Sequence, residues 1–183
     1  METTDLSGIT CHIIINGTDL PTIYWGEMEN HTESMKKVLG LCEDVKCNYV
    51  IFEVRDWNSA FSPWEFELSK KQYFSGGGRN TLEWLINECI PHCEREYSLS
   101  GKRIICGYSL AGLFSLWAFY ESQIFSGVIR TCPHKKFRTS FRQILPIATS
   151  KILAIRQYVC GFFSCTRQNY ARKTAHNFYV DRF

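Results

Sequence analysis

Ser109 stands in the most chemically informative setting in the sequence, the hexapeptide Gly107-Tyr108-Ser109-Leu110-Ala111-Gly112. A serine hydroxyl attacks a carbonyl poorly unless a base removes its proton and N–H donors hold the oxyanion that forms. The hexapeptide is preceded by a strand-like run, residues 102–106, and followed by an apolar helix-like run, residues 113–120. That order predicts a tight strand-to-helix turn that lifts the hydroxyl above a sheet. Residues two before and two after the serine must be small, because strand and helix backbones converge there. Gly107 and Ala111 meet that need, and Gly112 relaxes the helix start further. The helix start brings its positive dipole end and free N–H groups beside the serine. The backbone N–H of Leu110 is the first expected oxyanion donor, and losing such a donor costs roughly 3 kcal/mol of transition-state stabilisation.

The base and its orienting acid are harder to place. In folds with this turn they follow the serine, acid before histidine. After Ser109 the acids are Glu121 and Asp181, and the histidines are His134 and His176. Glu121 falls at the end of the predicted helix, and Asp181 follows His176 instead of preceding it. His176, near the chain end, is the candidate base, with His134 ranked below it. His12, His31 and His92 precede the serine and are read as ordinary surface or core histidines. The stretch SGGGRN, residues 75–80, looks like a phosphate-cradling loop but lacks the lysine of that motif. It is read as a flexible loop bordering the cleft.

These residues need a scaffold, and the first 129 residues alternate strand-like and helix-like stretches. Residues 11–16, 21–25, 49–54 and 102–106 are short runs rich in β-branched or aromatic residues. The run 49–54 is nearly all apolar, as in a strand covered on both faces. Helices are expected over 31–41, with Met35, Val38, Leu39 and Cys42 facing the core, and from Asn80, where Glu83 suggests a capping box. The second helix carries the apolar stripe Leu82, Leu85, Ile86, Cys89, Ile90, Cys93 and Tyr97, kinked or restarted at Pro91. The pattern predicts a three-layer α/β/α sandwich with a mostly parallel sheet.

Composition narrows the class. The chain has 183 residues, 45% hydrophobic and 21% charged, enough for one packed domain. No run reaches the roughly 18 apolar residues of a membrane span, and the first residues lack the basic and apolar regions of a secretory signal, so a cytoplasmic location is expected. Nine cysteines without a C-x-x-C pair are read as buried thiols, with no metal site. The net charge of +3 hides a split. Residues 1–129 hold 10 Lys plus Arg against 17 Asp plus Glu, whereas residues 130–183 hold 11 basic residues and a single acid, Asp181.

Three stretches resemble the putative-esterase family of α/β-hydrolases, relatives of esterase D and the enterochelin esterases: EVRDWNSAFSPWEF (53–66), FSGGGRNTLEWLINECIPHCEREY (74–97) and GYSLAGLFSLWAFYESQIFSGV (107–128). The resemblance covers residues 1–129. It implies an α/β-hydrolase core, hydrolysis of a small-molecule carboxylic ester by Ser109 through an acyl-enzyme, and no cofactor. It also implies that the turn near Asp56 and Trp57 supplies the second oxyanion N–H, assigned to the backbone of Trp57. Asp56 is expected to shape this turn instead of serving as the acid. Residues 130–183 carry no such resemblance, which leaves the core incomplete at its C-terminal end. They are expected to be a loosely ordered basic extension, or sequence read out of frame relative to the family. The competing expectation is an inactive family member or a binding module whose basic segment meets an anionic partner, with nucleic acid disfavoured for want of a motif.

Overall fold

The structure, a computed structural model, describes residues 1–70 and 72–131. The candidate base His176, the lower-ranked His134, Asp181 and the basic segment from Cys132 onward lie outside the described residues.

The chain opens with β1 (Glu2–Leu6) and β2 (Ile9–Ile14), an antiparallel hairpin. Ser7 and Gly8 between them both have positive φ, 55° and 82°, as a two-residue type I′ turn requires. Then follow β3 (Thr22–Met28), α1 (Thr32–Gly40), β4 (Asn48–Val54) and the one-turn helix α2 (Trp57–Ala60). A small hairpin of β5 (Glu65–Ser69) and β6 (Gln72–Ser75) leads into a helical run. That run comprises α3 (Gly78–Trp84), a π-helical stretch Leu85–Cys89 and α4 (Ile90–Glu96). The last elements are β7 (Arg103–Tyr108), α5 (Leu110–Glu121) and β8 (Gly127–Thr131).

Six strands form one sheet in the order β1-β2-β4-β3-β7-β8. The strands β4, β3, β7 and β8 run parallel, while β1 and β2 are antiparallel additions at one side. The predicted α/β architecture is therefore present. All seven residues of β4 are buried, as its continuous apolar run implies. On one face, Tyr24, Val50 and Phe52 of the strands pack with Leu85 of the π-helical stretch and with Leu110, Leu113 and Phe114 of α5. On the other face Met35 of α1 packs with Ile23, Tyr49, Ile51 and Ile104.

Several local expectations change. The predicted capping box does not form: the helix starts at Gly78 behind Gly77, with no side-chain capping bond. Val38 is 43% exposed, because the short α1 presents only Met35 and Leu39 toward the sheet. Pro91 falls in the first turn of α4, directly after the π-helical stretch. The helix thus restarts around a residue that offers no N–H to the preceding turn. The last strand, β8, runs on through Arg130 and Thr131, two residues past the stretch that carries the family resemblance.

Candidate active site

The strand-to-helix turn is built by β7 running directly into α5, with Ser109 as the single residue between them. Its backbone has φ 55° and ψ −117°, the values glycine takes at the first central position of a type II′ turn and uncommon for any other residue. The convergence of strand and helix is tight enough that only glycine fits at 107. A Cβ there would lie 2.2 Å from the Ala111 carbonyl oxygen and 2.8 Å from the Gly112 nitrogen.

Ser109 occupies the N-cap position of α5, yet its hydroxyl makes no capping bond. Its carbonyl accepts from the Leu113 N–H at 3.1 Å. Leu110, the first helical residue, is 1% exposed, and N–H groups of a first helical turn have no partner within the helix. Tyr108 beside the serine is 53% exposed, so this end of β7 opens to solvent. Glu121 closes α5 at its far end, about 18 Å along the axis. There it pairs with Arg79 at 2.5 Å, and the Arg79 guanidinium lies over Trp117.

Trp57 opens α2, just past β4, and β3 lies between β4 and β7 in the sheet. Neighbouring strands are about 4.8 Å apart, so α2 must lean across β3 to approach Ser109. It does lean that way. Phe61, at the end of α2, fills the space above Gly26 of β3 and packs at 5.4 Å against Phe114 of α5. Trp57 packs edge-on against Phe61 at 4.9 Å. The Asp56 carboxylate accepts the Ser59 N–H at 3.0 Å, so it caps α2 and shapes the turn.

The glycine run is a packed element, not the flexible loop expected. Gly76 has φ 78°, and a Cβ at Gly77 or Gly78 would meet Ser59 Oγ at 2.5 Å or the Ser62 carbonyl oxygen at 2.8 Å. The buried Ser62 hydroxyl accepts the Gly76 N–H at 2.7 Å. The glycines bring the start of α3 against the 59–63 turn.

Two acid–histidine pairs lie on the sheet face covered by α1. Glu27 of β3 and Glu53 of β4 stand opposite each other in register. His12 Nε2 is 3.3 Å from Glu53 Oε1, both side chains being buried. His31 Nδ1 is 3.4 Å from Glu27 Oε1, with the imidazole 46% and the carboxylate 14% exposed. Glu27 also accepts the Met28 N–H at 2.9 Å. Burial raises the Glu27 carboxyl above its ordinary range, and the Met28 N–H and His31 oppose that rise. The Glu27–His31 pair escaped the sequence reading because its spacing of four joins a strand to a helix cap, where helical spacing carries no signal.

Among the described residues, five of the six cysteines are buried and Cys106 is partly buried. Cys11, Cys89 and Cys93 are each 0% exposed, and hydrogen bonds with Cys11 and Cys93, reinforced by burial, push the Cys89 thiol up. Burial also pushes the Cys106 thiol, one residue before Gly107, up to about 12. His92 is partly buried on α4. No helix among the described residues is long and apolar enough to cross a membrane.

No family model and no curated protein matches the sequence. Solved structures do match. An IroE-like serine hydrolase from Shewanella oneidensis superposes with a TM-score of 0.60 at 16% identity, covering 79% of this chain and 51% of that one. The siderophore hydrolase EstB from Aspergillus nidulans superposes with a TM-score of 0.50 at 13% identity, covering 69% of this chain and 56% of that one. The chain thus spans about half the length of the solved structures it matches. With its mostly parallel sheet between helical layers, the chain has the α/β-hydrolase fold of these serine hydrolases.

Proposed function

We propose that the protein is a serine hydrolase of the esterase type, with Ser109 as the nucleophile of a nucleophile elbow. The observation that carries this reading is the backbone of Ser109: φ 55° and ψ −117° at the junction of β7 and α5, with the hydroxyl not used for capping. In the reaction proposed, Oγ attacks the ester carbonyl, the tetrahedral oxyanion forms, and collapse releases the alcohol to leave an acyl-enzyme. Water then hydrolyses the acyl-enzyme.

The Leu110 N–H is the first oxyanion donor and the Trp57 N–H the second. The turn after β3 is nearer to β7, but two of its donors are already used: Met28 N–H on Glu27 Oε1 and Glu29 N–H on the Val54 carbonyl. That occupancy, with the lean of α2 toward α5, favours Trp57. The substrate is a small-molecule ester, and the chemistry proposed needs no cofactor.

Labelling with a fluorophosphonate probe tests the reading. The full chain is expected to label and Ser109→Ala to remain unlabelled; equal labelling of both proteins overturns the assignment. A second reading rests on the charge split, with 11 basic residues and one acid in residues 130–183. In that reading the chain is an inactive member of the fold that binds an anionic partner. It predicts no labelling and retention on an anionic matrix that falls steeply with salt.

A further inference from the structure

A serine needs a base, and among the described residues after Ser109 there is no histidine, while the one acid, Glu121, is at the far end of α5 on Arg79. The strand register offers a different source. β3 and β7 are adjacent and parallel, with Gly26 opposite Gly107. Two residues further along each chain come Met28 and Ser109, so the turn after β3 and the turn after β7 leave the sheet at the same edge, one strand apart. His31 belongs to the first of these turns, its N–H donating to the Met28 carbonyl at 3.3 Å.

The chemistry at that turn is an oriented imidazole. Glu27 is mostly buried and fixed by the Met28 N–H, and its Oε1 lies 3.4 Å from His31 Nδ1. A carboxylate at Nδ1 holds the proton on that nitrogen and leaves Nε2 as the acceptor. The imidazole itself is 46% exposed, so it is open to solvent beside the end of β3. By contrast, His12 is buried against Glu53 on the antiparallel side, two strands further from β7. Acid–base–serine groupings are defined by geometry and roles, and unrelated folds use different chain orders; a histidine preceding the serine departs from the order usual with this turn.

We propose that His31, oriented by Glu27, is the general base for Ser109, an assignment that rests on Ser109 being the nucleophile. Nε2 takes the hydroxyl proton as Oγ bonds to the carbonyl carbon. It returns that proton to the alcohol as the ester C–O bond breaks, then deprotonates the water that attacks the acyl-enzyme and passes that second proton to Ser109 Oγ as the acyl C–O bond breaks and the acid leaves. Glu27 is a positioning residue, acting through His31.

The test is the rate of fluorophosphonate labelling of the full chain, with folding of each variant checked by circular dichroism. His31→Ala is expected to label about 10²- to 10⁴-fold more slowly, and free imidazole is expected to restore part of that loss. Glu27→Gln should slow labelling by a smaller factor, without rescue by imidazole. Wild-type labelling rates in His31→Ala overturn the proposal while leaving Ser109 standing, provided Ser109→Ala stays unlabelled. A loss in His31→Ala that imidazole does not restore also overturns it, because His31 then acts only through structure. Absence of labelling in the unaltered chain overturns both assignments.

Discussion

A side-chain carbon at Gly107 would meet backbone, not a movable side chain: the Ala111 carbonyl carbon at 2.3 Å and its oxygen at 2.2 Å. Gly107→Ala must therefore push β7 and α5 apart. Overpacking of this kind costs about 1–3 kcal/mol, so the variant is expected to melt lower than the unaltered chain and to label more slowly at Ser109, as thermal melts and probe kinetics would show. Glu27 makes a second residue-scale prediction. Its carboxyl is raised above its ordinary 4.5 chiefly by burial, with the Met28 N–H and His31 pulling it down and Glu53 adding to the rise; Cys106 also lies near it. The folded state holds this proton more tightly than the unfolded state. This group's contribution to stability is thus greatest below 4.5 and declines as pH rises through the folded value. Glu27→Gln should flatten that decline, measured as urea midpoints between about pH 4 and pH 7.

Elements built from continuous apolar runs could be read directly from the sequence. β2, β3, β4 and β7 all appear within a few residues of their predicted positions, because residues such as Val50, Ile51 and Phe52 have nowhere else to go but the interior. β1 gave no such signal. Glu2–Leu6 has no fully buried residue and is a strand because β2 pairs with it. The β5–β6 hairpin was hidden for a similar reason, and its stacked Phe66–Phe74 pair at 4.4 Å is a cross-strand contact no local pattern encodes. The strand-to-helix turn was legible because small residues at fixed offsets report a steric demand. The Glu27–His31 pair was not, because it depends on strand register. One polar residue organises the opposite end of the sheet. Asn48 is 0% exposed; its Oδ1 accepts the Asn16 N–H at 2.8 Å and the Gly17 N–H at 3.2 Å, and its Nδ2 donates to the Gly17 carbonyl at 2.8 Å. Asn48→Ala strands these groups at roughly 1–3 kcal/mol for each one left unpaired. The expected loss of at least about 2 kcal/mol would be read from chemical denaturation.

At the scale of the molecule, the helix behind the serine is part of the core. In α5, Leu110, Ala111, Leu113, Phe114, Ala118 and Phe119 are buried, so the helix that holds the turn is also part of the apolar core on its face of the sheet. That coupling explains how a non-glycine residue can stay at a positive φ of 55°. The local cost of such a conformation, of order 1–3 kcal/mol, is offset by packing spread over the sheet and helices on either side. A trade follows between durability and chemistry. Ser109→Gly removes the steric penalty as well as the hydroxyl, whereas Ser109→Ala removes the hydroxyl and keeps the penalty. The glycine variant should therefore unfold at a higher temperature than the alanine variant, with both chemically silent. The chain would then hold the proposed nucleophile at the expense of resistance to heat.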